Sequence, residues 1–112
     1  MNVDTISPGE IVQELSAHKD ALMRLGVRHL AVFGSRVRGD AKPDSDLDVV
    51  VQFAEAEAQG SEVERRIAAA RVELAVSGML SEICNVDVSV IERKRLSPEF
   101  AGRIADDLVE VF

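Results

Sequence analysis

A chain of 112 residues, 46% of them hydrophobic, is long enough for one domain with a modest core and too apolar to stay disordered. Against 20 acidic residues stand 13 basic ones, a formal net charge of -7, which argues against a nucleic-acid backbone as main partner because such binding rests on clustered Lys and Arg. One cysteine, Cys84, excludes an intrachain disulfide, His18 and His29 stand apart from any zinc-like cluster, and no stretch reads as a signal peptide or membrane span, so the expectation is one cytoplasmic domain over residues 1–112.

Ser7-Pro8-Gly9-Glu10 is a helix start: Ser7 caps, Pro8 suits the first position and Glu10 completes a capping box. Ile11, Leu15, Leu22 and Leu25 form an apolar stripe, and Gly26 is a plausible stop, which predicts one helix covering a sheet. Val27 to Phe33 is short, apolar and bounded by glycine, the pattern of a buried strand. Gly34 to Gly39 suits a short helical turn. Between Ser35 and Asp46 fall Arg36, Arg38 and Lys42, three cations in an otherwise acidic chain. Asp46 to Phe53 reads as the second strand and Ala54 to Gly60 as a loop.

Ser61 and Glu64 form a second capping box. They open a predicted helix ending near Gly78, with Val63, Ile67, Ala70, Leu74 and Met79 as its apolar positions. Val86 to Ile91 is the third strand, Val86, Val88 and Val90 on one face and Asp87, Ser89 and Ile91 on the other. Ser97-Pro98-Glu99 begins a last helix, with Phe100, Ile104 and Leu108 at helical spacing and Val111 close behind. Asp106 and Asp107 fall in its C-terminal half, against the helix dipole, and suggest a basic partner there. The fold class expected is α/β (α+β), a small mixed sheet flanked by helices.

The chemistry concentrates between His29 and Val51. Asp46 and Asp48 alternate onto one strand face, about 7 Å apart. Carboxylates that close resist joint ionisation, and a divalent cation removes the conflict. Mg²⁺ prefers oxygen ligands and commonly binds one or two carboxylates together with substrate phosphates. Gly34 and Ser35 close the preceding strand, where a glycine lets backbone N–H groups approach a phosphate and a hydroxyl adds a bond. Asp-x-Asp and Gly-Ser are each common in isolation; ten residues apart between two strand-like runs, they form a metal seat and a phosphate seat within one turn of chain. Asp87 on its own needs no more explanation than an edge strand facing water.

Gly34-Ser35, ten residues, then Asp46-Leu47-Asp48 resembles the signature of the DNA polymerase β-like nucleotidyltransferase superfamily. Gly-Ser-Arg-Val-Arg-Gly followed by Ser-Asp-Leu-Asp is similar to its minimal nucleotidyltransferase branch, where Ala is more usual at the place of Val37. The resemblance implies a polymerase β-like fold and transfer of a nucleoside monophosphate from an NTP to a hydroxyl. It implies two Mg²⁺ ions held by Asp46, Asp48 and, as the third carboxylate from a later strand, Asp87. It also implies ATP as substrate, its β and γ phosphates held by Gly34, Ser35 and Arg36, with Ser45 grouped among the nucleotide-contacting positions.

Larger relatives carry an added acceptor domain, and 25 residues follow Asp87 in the 112-residue sequence. The acceptor is therefore expected from another chain or a dimer. In the branch resembled, that other chain is a helical HEPN-type RNase toxin, modified with AMP on a tyrosine by its antitoxin. Two further readings stand beside this one: a small-molecule nucleotidyltransferase whose pocket is completed by a homodimer, and an antitoxin that acts by contact without catalysis.

Overall fold

The computed structural model describes residues 7–42, 44–54 and 60–112. The predicted loop at 54–60 lies largely outside them.

Two helices replace the first predicted one: α1 (Pro8–Ala17) and α2 (Lys19–Arg24). The Ser7/Glu10 capping box forms as expected. The break falls at His18, whose Nδ1 donates to the Glu14 carbonyl at 2.9 Å while its backbone leaves helical geometry. The stripe survives the break, because Ile11, Leu15 and Leu22 are all buried.

Strand β1 (Val27–Phe33) leads into a one-turn helix, α3 (Ser35–Arg38), and then β2 (Leu47–Phe53). Helix α4 (Glu62–Cys84) crosses to β3 (Val88–Glu92). A short 3₁₀ turn (Arg93–Arg95) and helix α5 (Pro98–Ile104) follow, and β4 (Val109–Glu110) closes the chain. The sheet order is β3-β2-β1-β4, with β2 and β3 parallel and β1 antiparallel to both its neighbours. This mixed sheet with helices is the predicted class.

Three expectations need correction. Helix α4 runs through Gly78 to an Asn85 cap in the left-handed conformation (φ 54°), since Leu80 and Cys84 continue its buried face past the glycine. Its buried positions are Val76, Leu80 and Cys84, whereas Val63, Ile67 and Leu74 are exposed. The last helix stops at Ile104: residues 109–110 instead pair as an edge strand with Ala31 and Val32, so Leu108 and Val111 are not helical.

Alternation divides the core between the two sheet faces. Leu30, Val32, Leu47, Val49 and Val51 pack on one side with α1, α2 and α4 through Ile11, Leu15, Leu22, Val76 and Leu80. Burying such side chains stabilises by roughly 1.5–3 kcal/mol each. Ala31, Phe33 and Val50 form the other side with Ile104, Ile91 and Phe100. Asp48, between Val49 and Leu47 in the alternation, points to this second and thinner side.

Candidate active site

Antiparallel pairing sets Phe33 opposite Asp48. The end of β1, and so Gly34-Ser35, therefore lies against the start of β2, and so Asp46-Leu47-Asp48. The ten-residue connection does not need to be rigid for this; the ladder holds both ends. Gly34 is buried with φ 86°, a backbone conformation that side chains rarely adopt. A Cβ there would run into the Asp48 carboxylate oxygen and sit 3.4 Å from its Cγ. The glycine is thus required twice, by its backbone and by its neighbour.

Asp48 is half-buried and Asp46 exposed. Burial, and after it the charge of Asp46, pushes the Asp48 carboxyl above its ordinary range, while Arg38 pulls it back. The two carboxylates are close enough to feel each other, as their spacing predicted.

The third strand begins at Val88 and not at Val86 as expected, so Asp87, exposed, stands one residue before β3, which lies at the sheet edge. Its carbonyl accepts the Leu47 N–H at 2.9 Å. The parallel register sets Leu47 beside Val88 and Asp48 beside Ser89, so the backbone of Asp87 lies at the sheet end where Asp46 and Asp48 begin β2. Among the described residues, no three acidic, His or Cys side chains are gathered as an ion-holding group.

The loop between the seats is braced from within. Arg36 is only 6% exposed. Its Nε donates to the Ser45 carbonyl at 3.1 Å and its Nη2 to the same oxygen. The Ser45 hydroxyl accepts the Lys42 N–H at 2.9 Å, and the Ser45 N–H returns to the Lys42 carbonyl. Both residues are engaged in holding the chain just ahead of Asp46. Arg38 donates to Asp107 at 2.7 Å and to Asp40 at 3.3 Å. These bonds, Asp107 first, hold its guanidinium still more firmly protonated than usual. Asp107, in the turn beyond α5, thus meets an arginine of its own chain.

A cleft of about 380 Å³ opens over this thin side of the sheet. Gly34, Ser35 and Asp48 border it, opposite Phe100 and Arg103 of α5. The Phe33 and Phe100 rings meet edge to face at 6.0 Å, and the Arg103 guanidinium lies 5.5 Å over the Phe100 ring. Volume and lining suit a small molecule with an apolar portion and an anionic one. Arg103 escaped the sequence reading and Phe100 entered it only as an apolar helix position, because nothing in the helical spacing of α5 distinguishes a cleft wall from a core face.

The nucleotidyltransferase domain family profile matches residues 15–111. Over 47 residues the chain is 57% identical to the protein adenylyltransferase MntA of Thermococcus cleftensis, a match covering 41% of this chain and 48% of that protein. The chain thus spans about half the length of that relative. A solved structure provisionally assigned as a minimal nucleotidyltransferase superposes with a TM-score of 0.57 at 28% identity, over 97% of this chain and 95% of that one. A toxin-antitoxin crystal structure with AMP-PNP superposes with a TM-score of 0.59 over 87% of this chain and 72% of that one; at 15% identity the likeness is one of fold.

Proposed function

The chain belongs to the nucleotidyltransferase domain family, and from that premise we propose that it moves AMP from ATP to a tyrosine hydroxyl of a helical HEPN-type RNase toxin, as that toxin's antitoxin. The observation that carries the reading is the pairing of Phe33 with Asp48, with Gly34, Ser35 and Asp48 bordering one cleft and Asp46 two residues ahead of Asp48 in the chain. The 57% identity to a protein adenylyltransferase supports the activity. The fold shared with a toxin-antitoxin structure supports the partner. The unit that acts is the single domain of residues 1–112, in the cytoplasm.

The donor set suits Mg²⁺. Asp46 and Asp48 offer hard oxygen ligands, and Asp48 is held above its ordinary pKa range in part by its neighbour's charge. Two protein carboxylates are what this ion commonly takes when phosphates and water fill the remaining places. Two Mg²⁺ ions, held by Asp46 and Asp48 with Asp87 completing one of them, would supply charge stabilisation to the attacking and leaving oxygens.

The rest falls to the chain's own groups. Gly34 and Ser35 seat the β and γ phosphates. Arg36 and Ser45 join that seat through the loop they brace, fixing where Asp46 stands. Phe33 and Phe100 give the cleft its apolar wall, and Arg38 and Arg103 lend it positive charge. An Asp87 carboxylate oxygen takes the proton of the acceptor hydroxyl. The hydroxyl oxygen forms its bond to the α-phosphorus as the bond to pyrophosphate breaks. No side chain becomes a covalent nucleophile.

The test is to incubate the chain with the helical protein encoded beside it and ATP, and weigh both intact. AMP on the partner, absent with Asp46→Ala, is the expected result. If the parent leaves the partner's mass unchanged while parent and variant neutralise it equally, contact is the mechanism and not catalysis.

A further inference from the structure

Helix α4 is 23 residues long, yet its buried residues all lie at Val76 and beyond. From Glu62 to Ala75 every residue is exposed, Val72 least among the large apolar ones at 36%, except the half-buried Glu73. That arm of fourteen residues is about 21 Å long. Its apolar side chains are not scattered. Val63 (65% exposed), Ile67 (49%), Ala70 and Leu74 (75%) recur at intervals of four, three and four. This is the spacing of a coiled-coil seam, in which apolar residues stay in line along one side of the helix. At 100° per residue the seam lies roughly 110° around the helix from the face that Val76, Leu80 and Cys84 bury, so it looks away from the core. None of the four residues borders the cleft.

The charges flanking the seam say what covers it. Glu64 and Arg71 line one side; Arg66 and Glu73 line the other. We propose that this arm pairs with the same arm of a second copy of the chain, antiparallel, about a two-fold axis between Ile67 and Ala70. That axis sets Val63 of one copy against Leu74 of the other and Ile67 against Ala70. It brings Glu64 beside Arg71 and Arg66 beside Glu73 across the interface, each contact made twice. Every flanking pair is then of opposite sign. A parallel pairing in register would instead set Arg66 against Arg71, like against like, which disfavours it. Within one chain Arg66 is 2.6 Å from Glu62, and Glu73 is 4.0 Å from Arg95. The first is solvent-exposed and the second, at 4.0 Å with Glu73 half-buried, is long, so both are of little strength and exchange for the new ones.

The seam is short, three large side chains per copy, so the dimer is expected to dissociate on dilution through the micromolar range. Sedimentation of the full chain against concentration reads this directly. Ile67→Glu is expected to leave the chain monomeric at every concentration with unchanged helical content. Arg66→Glu alone sets like charges against each other twice and is expected to weaken the dimer at least tenfold. Adding Glu73→Arg to it restores opposite signs, and the doubly substituted chain is expected to dimerise as the parent does. A parent that stays monomeric at hundreds of micromolar overturns the proposal, as does a dimer that survives Ile67→Glu. If Ile67→Glu instead abolishes binding of a helical partner by a monomeric parent, the arm serves that partner and not a second copy. AMP transfer is scored separately, so failure here and failure of the proposed activity are distinguishable.

Discussion

Phe33 and Asp48 face each other across the β1–β2 ladder, and the residue after the phenylalanine, Gly34, lies against the aspartate's carboxylate. A methyl group at Gly34 has no room on that side, and its positive φ adds strain of its own. Gly34→Ala is expected to cost roughly 1–3 kcal/mol of stability and to abolish AMP transfer, because relief requires Asp48 to move. The cost should be smaller in an Asp48→Ala background, by about 0.5 kcal/mol or more, the coupling expected of residues in contact. Chemical denaturation of the four chains measures it; additive costs would mean that the contact is not what excludes the methyl.

Asp48→Asn is expected to remove transfer activity while strengthening the metal-free fold. Burial, then the charge of Asp46, raises the Asp48 carboxyl above its usual 3.8. A carboxyl harder to ionise folded than unfolded weakens the fold as it ionises. Its penalty is absent below the usual value and appears in full once pH has risen through the raised one. In chelator the parent should therefore lose stability relative to Asp48→Asn across that window, and the two should converge in acid. Thermal melts from pH 3 upward, read as a difference between the two chains, decide this. A variant less stable than the parent at neutral pH would contradict it.

Arg36→Lys tests the loop brace. The guanidinium reaches the Ser45 carbonyl through two nitrogens, and an ammonium cannot reproduce that fork. A buried bond from a charged donor contributes about 1.5–3 kcal/mol, and most of it should be lost. Because Ser45 directly precedes Asp46, KM for ATP should rise more than kcat falls. A melting temperature equal to the parent's would show that the brace contributes nothing.

Cys84 supplies a prediction away from the cleft. It is fully buried against the α4 side of the sheet, and burial pushes its thiol up to about 11 from 9.0. The native protein should react with a thiol reagent at pH 8 only as fast as it opens. Since the folded state resists ionisation, stability should hold below pH 9 and decline as pH rises toward 11. Cys84→Ala should lack that decline. Fast labelling of the native chain would place the thiol at the surface.

The local elements follow from residues close in sequence. The capping box at Ser7, the Ser61 side-chain cap on the Glu64 N–H, the apolar run of β1 and the turn after Gly34 depend on contacts a few residues apart, and each stands where the sequence places it. The Gly-Ser and Asp-x-Asp signals are equally local, and the family they point to is the family of the chain. What lay beyond the sequence are relations between distant segments. The break at His18 competes with an unbroken stripe, and it falls where the His18 ring bonds the Glu14 carbonyl. The burial of α4 begins only at Val76, and among the described residues the earlier apolar positions Val63, Ile67 and Leu74 stay exposed, which their own spacing does not reveal. Residues 109–110 became an edge strand rather than helix because β1 offered a free edge, which no helical periodicity reveals. The side-chain partners of Arg36 and Arg38, nine and 69 residues away, were likewise decided by the closing of the sheet. The sequence names the chemical groups of the candidate site; the register of β1 against β2 sets Gly34 against Asp48, a contact no local signal contains.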